Sequence, residues 1–202
     1  MTASDHGQDG LDAEASGRPA PRGAGRHDPG GKVRLRLPDD MVGEARISPC
    51  ERYRTYLARD WTPAGTAPRA ILWIGMNPST ADAFVSDSTV RREEKFSRDW
   101  GYTRYLKGNM LAWRATRPAD LPHDPDIARG PGNLAALLEM AVEAETVVMA
   151  FGRLHPRYHE IVREQIAAVR TVGVPLICLG RNQDGSAKHP LYLRRDTAPV
   201  PF

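Results

Sequence analysis

The sequence predicts a three-layer α/β/α domain built around a mainly parallel central sheet. Two observations predict it. Short, continuous apolar runs such as "AILWIG", "TVVMAFG" and "PLICLG" have the pattern of strands buried on both faces. Segments with helical apolar spacing alternate with them, which implies parallel pairing with helices on both faces.

The elements follow in order. Residues 1–31 hold seven of the eighteen glycines and almost no large apolar side chains. Such a segment buries too little to offset its ordering entropy, so a disordered tail is expected, with one folded domain over residues 32–202. "ARISPCERYRTYLARDW" has strand composition around Ile47 and over Tyr53–Leu57, with a Ser-Pro break between, and predicts a hairpin. "AILWIG" is the next strand. Asp87 and Ser88 are placed to cap a helix reaching about Trp100. "YTRYLKGNML" predicts another strand. Asn133 is placed to cap a helix that turns Leu134, Leu137, Leu138 and Ala141 inward. "TVVMAFG" is a strand, and residues 156–171 are a helix with Tyr158, Ile161, Val162 and Val169 inward. "PLICLG" is the last strand. Trp100, Tyr102 and Trp113 are expected in the core.

Composition excludes several classes. Apolar residues make up 41% and charged residues 26%, as in soluble globular chains. No run approaches the ~18 apolar residues of a membrane helix. The N-terminus "MTASDHGQDG" lacks an apolar leader, and Cys50 and Cys178 are too few for a disulfide framework. A cytoplasmic protein, with no membrane partner, is expected. The His and Cys residues lack paired metal-ligand spacing, and no cofactor is expected. There is no phosphate-loop glycine pattern and no nucleophile elbow. Net charge is +3. Residues 1–31 carry three arginines against five acids, so the remainder carries +5, compatible with a phosphate-bearing partner.

In open α/β sheets ligands bind beyond the carboxyl ends of the strands. Four polar stretches follow strands here: "GMNPSTADAFVSD", "GNMLAWRATRP", "FGRLHP" and "GRNQDGSAKHPLYL". In the first, Gly75 permits a tight turn or close approach to a ligand. Pro78 fixes its own φ and biases Asn77 away from helix, holding the Asn77 amide at the strand's mouth. Ser79, Thr80 and Asp82 add hydrogen-bonding groups, or the turn simply satisfies its own backbone. Asn109 ends a second strand, and His189–Pro190 follows the last one. Arg91 and Arg92, at a helix start, either form a phosphate site or pair within "RREEK". Arg114 lies on a neighbouring loop.

These residues, in this order, resemble the uracil-DNA glycosylase superfamily. In its mismatch-specific branch the first strand ends in Gly-Ile-Asn-Pro-Gly, matched here by Gly75, Met76, Asn77, Pro78 and Ser79. Asn109 with "RATRP" and "VVMAFG" match later strand ends, and His189 with Pro190 matches the start of the final His-Pro-Ser motif. The resemblance covers roughly residues 70–195. Leu191 replaces the motif's serine, two cysteines exclude the cluster-bearing branches, and "STADAFVSDSTVRR" is longer and more charged than its counterpart. More closely, the chain resembles a bacterial family known as domain of unknown function 1643. The shared elements are "SPCERYRTYL", "MNPSTADA", "DSTVRR", "WGY", "RAT", "LPHDPD", "GPGN" and "LG…HPLY".

The glycosylase resemblance implies hydrolysis of an N-glycosidic bond to a modified or mispaired base, with DNA or a nucleotide as partner. Asn77 would align water through its carbonyl oxygen, since an amide does not titrate. Asp82 would supply basicity or serve as a cap. His189 would donate to a base carbonyl, and Asn109 would read the base edge. A duplex base would have to be flipped out. Two other classes stay open: a non-catalytic nucleic-acid or nucleotide-binding module, and a phosphate-directed hydrolase or transferase using Asp82 and the arginines.

Overall fold

The structure is a computed structural model that describes residues 35–202. The tail expected over residues 1–31 lies outside the described residues. Chain order is β1 (Leu35–Arg36), β2 (Val42–Ile47), β3 (Arg54–Asp60), β4 (Ala70–Gly75), β5 (Val85–Ser86), α1 (Ser88–Asp99), β6 (Arg104–Asn109), α2 (Pro125–Arg129), α3 (Asn133–Glu143), β7 (Thr146–Met149), α4 (His159–Arg170), β8 (Leu176–Cys178) and β9 (Val200–Pro201).

Seven strands form one sheet in the order β2-β3-β6-β4-β7-β8-β9, and β1 pairs with β5 beside it. The pairings β6–β4, β4–β7 and β7–β8 are parallel. The pairings β2–β3, β3–β6 and β8–β9 are antiparallel. The sheet is therefore mixed, which corrects the expectation of a mainly parallel one. The reason is local: the short turn between β2 and β3 permits only a hairpin, and that hairpin adds to the edge of β6. The two-residue β9, too short to show period-2 patterning, closes the far edge.

All six residues of β4 are buried, and they feed two apolar clusters. Leu72 and Ile74 join Leu106, Leu137, Met140, Val147, Ile161, Val162 and Val169, under α3 and α4. Ile71 and Trp73 join Val90, Phe96, Tyr105 and Val148, under α1. Helices on both faces explain why this strand has no polar position. Trp73 stacks on Trp100 at 5.6 Å, and its indole N–H donates to Ser97 Oγ at 2.9 Å.

α1 begins as expected. Asp87 is its N-cap and accepts from Val90 N–H at 2.9 Å. α3 does not. Gly132, in the left-handed region with φ 71°, is the N-cap, and Asn133 is the first helical residue. The Asn133 amide instead donates to the carbonyls of Asn109 and Met110 and to Gln165 Oε1. Capping would use Asn133 Oδ1 as acceptor from a cap position with extended backbone; Asn133 is already helical, and its Nδ2 serves the carbonyls at the end of β6 instead.

No helix among the described residues is long and apolar enough to cross a membrane.

Candidate functional site

Parallel register brings the carboxyl ends of the inner strands level. Gly75 lies opposite Asn109, Ile74 opposite Met149, and Met149 opposite Cys178. The pairing continues past the strand ends. Met110 N–H donates to Gly75 O, Leu111 N–H to Met76 O, and Ala115 N–H to Pro78 O, at 2.8–2.9 Å. The Asn77 loop and the segment after Asn109 are thus one zipped unit.

Gly75 is required by close approach. A Cβ there would lie 2.7 Å from Lys107 Nζ and 2.9 Å from Asn109 Oδ1. Asn77 Nδ2 donates to Ala115 O at 2.7 Å and Pro78 O at 3.0 Å. Its nitrogen is therefore spent on backbone. Asn109 is 2% exposed and its Oδ1 has no hydrogen-bond partner.

Asp82 holds the loop. Its Oδ1 accepts from the N–H groups of Phe84 and Val85 at 2.8 and 3.0 Å, and its carbonyl accepts from Arg59 at 2.6 Å. Arg54 reaches the same loop and donates to Ala81 O. Burial pushes the Arg54 guanidinium down to about 10, against the pull of Asp87.

Arg91 and Arg92 are the fourth and fifth residues of α1. They donate to the carbonyls of Arg36 and Leu193 respectively, and Arg91 also lies 3.8 Å from Glu94. Arg114 donates to Glu51 O at 2.9 Å. All three tie segments together through main-chain carbonyls. His189 lies at the end of β7, its Cβ 3.5 Å from where a Gly152 Cβ would be. Its Nδ1 accepts from Leu191 N–H at 3.4 Å, which places the proton of the neutral ring on Nε2.

Sequence reasoning missed the buried charges beneath this loop. Lys107 Nζ donates to Glu93 Oε1 at 2.8 Å, and Tyr105 O–H donates to Glu93 Oε2 at 2.6 Å. Glu93 is 0% and Lys107 4% exposed. Burial pushes the Glu93 carboxyl up, against the opposing pull of Lys107 and Tyr105. Burial also raises the Tyr105 hydroxyl well above its usual range. A signal existed: strand periodicity in "RYLKGN" puts Tyr105, Lys107 and Asn109 on one face, and Glu93 shares a helix face with Val90 and Ser97.

Buried side-chain atoms lacking a hydrogen-bond partner gather at this end of the sheet. They include Ser79 Oγ, Asn109 Oδ1, Thr116 Oγ1, Asn133 Oδ1 and Arg54 Nε. Each such group costs ~1–3 kcal/mol if it stays unpaired. Thr80 is half-buried nearby. A surface cleft lined by Asp99, Arg194, Arg195 and Asp196 lies instead at the far end of α1. There the charges pair with one another, Arg195 with Asp99 and Arg194 with Asp196. Among the described residues no cluster of His, Cys, Asp and Glu has the makings of a metal site.

Residues 52–191 match a family described as a protein of unknown function, DUF1643. No curated protein and no solved structure matches the chain.

Proposed function

The chain belongs to the DUF1643 family, and from that premise we propose that it is a uracil-DNA-glycosylase-like protein that takes a nucleobase at the carboxyl ends of β4, β6 and β7 and hydrolyses its N-glycosidic bond. The observation that carries the reading is the juxtaposition of the Asn77 loop with Asn109, in a zone of buried polar atoms without partners. The strand order β6-β4-β7-β8, parallel throughout and with helices on both faces, supports the three-layer glycosylase-like architecture.

In this reading Asn109 reads the base edge through its amide. Asn77 aligns water through Oδ1, since its nitrogen is held by Ala115 O. His189 donates from Nε2 to a base carbonyl. Met76, Pro78, Ser79 and Thr80 shape the wall around the base. Arg91, Arg92 and Arg114 add positive potential for the phosphates of DNA or a nucleotide. The leaving base departs with negative charge, so preorganised donors would lower the barrier.

A second reading is favoured by one observation. Asp82 Oδ1 accepts from two backbone N–H groups in its own turn, the bonding of a structural cap. A module that binds a nucleobase without cleaving would need no carboxylate beside Asn77.

The test is single-turnover incubation with end-labelled oligonucleotides carrying uracil in single strand, uracil opposite guanine, or thymine opposite guanine, followed by alkali. Alkali-labile sites that vanish in Asn77→Ala and Asn109→Ala establish the glycosylase. Binding of dUMP or these strands without base release establishes the binding module. Neither release nor binding overturns both.

A further inference from the structure

Six charged side chains are buried among the described residues: Arg54, Arg59, Asp87, Glu93, Glu94 and Lys107. Asp87 is accounted for as the cap of α1. Arg59 is accounted for, because its guanidinium ties the carbonyls of Ala58, Asp82 and Val85. Glu94 accepts from Ser86 and faces Arg59 at 3.7 Å. Arg54 holds Ala81 O. The Lys107–Glu93 pair bridges no loop and anchors no backbone carbonyl. Resting on the reading above, we propose that Lys107 is a ligand-binding residue of the same site, its ammonium taking an anionic or carbonyl oxygen of the bound base while Glu93 positions it.

Four observations converge. Lys107 lies two residues before Asn109 on β6, so both side chains leave the same face of the sheet. The Lys107 ammonium and Asn109 Oδ1 both lie within 3 Å of the place a Gly75 Cβ would occupy. An acceptor and a cationic donor therefore stand together at the mouth of β4, packed against its terminal glycine. An ammonium carries three donors, and among the described residues Lys107 makes one hydrogen bond, to Glu93 Oε1. Finally, a buried ion pair gains little stability over apolar packing, because each ion must be stripped of water. Apolar side chains from β6 and α1 would fill this layer as well. The pair is explained better by what its ammonium meets than by what it holds. Glu93, anchored a second time by Tyr105, fixes the ammonium in place so that no reorganisation is needed on binding.

The experiment uses the full chain and has two arms. In the first, brief reductive methylation with formaldehyde and cyanoborohydride is followed by peptide mapping, with exposed Lys95 and Lys188 as references. Lys107 is expected to be methylated, more slowly than both. If Lys107 stays unmodified while Lys95 and Lys188 go to completion, the pair is a sealed structural one and the proposal is overturned. In the second arm dUMP binding is compared between wild type, Lys107→Met and Lys107→Arg. Lys107→Met should lose ~10–100-fold in affinity, the worth of one charge-assisted hydrogen bond, and Lys107→Arg should recover part of it. Unchanged affinity in folded Lys107→Met also overturns the proposal. If wild type binds no dUMP yet Lys107 is methylated, the nucleobase reading fails while an open cationic site at Lys107 is upheld.

Discussion

The side-chain nitrogen of Asn77 donates to the main-chain carbonyl of Ala115 at 2.7 Å, across 38 residues of sequence. This bond orients the amide and staples two loops. Asn77→Ala should stay folded and lose about 1 kcal/mol, the usual worth of one such bond. Asn77→Asp should be less stable than Asn77→Ala, because a carboxylate would face the carbonyls of Ala115 and Pro78 with no proton to offer. Urea titrations of the three proteins give the ranking. The reverse order would mean that Asn77 does not hold the loop this way.

Gly75→Ala is expected to move two groups without removing either. Its methyl would lie 2.7 Å from Lys107 Nζ and 2.9 Å from Asn109 Oδ1, so both side-chain ends must shift. Overpacking of this kind costs about 1–3 kcal/mol. The variant should fold, with ligand affinity or base release reduced at least tenfold. Retained activity with unchanged Tm would place the ligand elsewhere.

Asn133 is 1% exposed and supplies donors to two carbonyls and to Gln165. Asn133→Ala strands those acceptors and should cost about 2–3 kcal/mol, lowering Tm by about 5–10 °C. A loss under 1 kcal/mol would show that other donors reach the Asn109 and Met110 carbonyls.

Stability should depend on pH through the buried glutamates. Burial raises the carboxyls of both Glu93 and Glu94 above the ordinary 4.5. Between 4.5 and the raised values the folded chain binds more protons than the unfolded chain, so stability falls as pH rises through that window. Asp60, Asp99 and Glu139 are shifted down by their arginine partners or local hydrogen bonds, so their contribution is lost as pH drops below the carboxylate range. Thermal melts from pH 3 to 8 should therefore peak on the acid side of neutrality. Glu94→Gln should flatten the falling limb; an unchanged limb would assign it to other groups.

DNA binding should be weak and salt-sensitive, stronger for a strand with an accessible base than for perfect duplex. A handful of phosphate contacts would cut affinity by ~10²–10³ between 50 and 200 mM salt. Labelled oligonucleotides titrated at several salt concentrations measure the slope. A flat response beside tight dUMP binding would make the ligand a free nucleotide.

The chain's own pattern determined the elements and the mouth of the site. "AILWIG" is a strand because a short apolar run bounded by glycine and proline has no other stable use, and Asp87 starts α1 because its carboxylate caps the helix locally. Gly75, Asn77 and Asn109 are legible for the same reason: they stand where strands stop. Tertiary structure decided what those residues touch. The mixed sheet depends on which edge the β2–β3 hairpin joins, and no local preference encodes that edge. Asn133 reads as a cap until the left-handed Gly132 takes that position, and Asn133 Nδ2 then holds the carbonyls of Asn109 and Met110. Asp82 reads as a base or a cap, and the fold shows its Oδ1 accepting from two N–H groups of its own turn. Lys107 reads as one polar residue in a strand until α1 lays Glu93 over it, and burial of the pair depends on the whole fold.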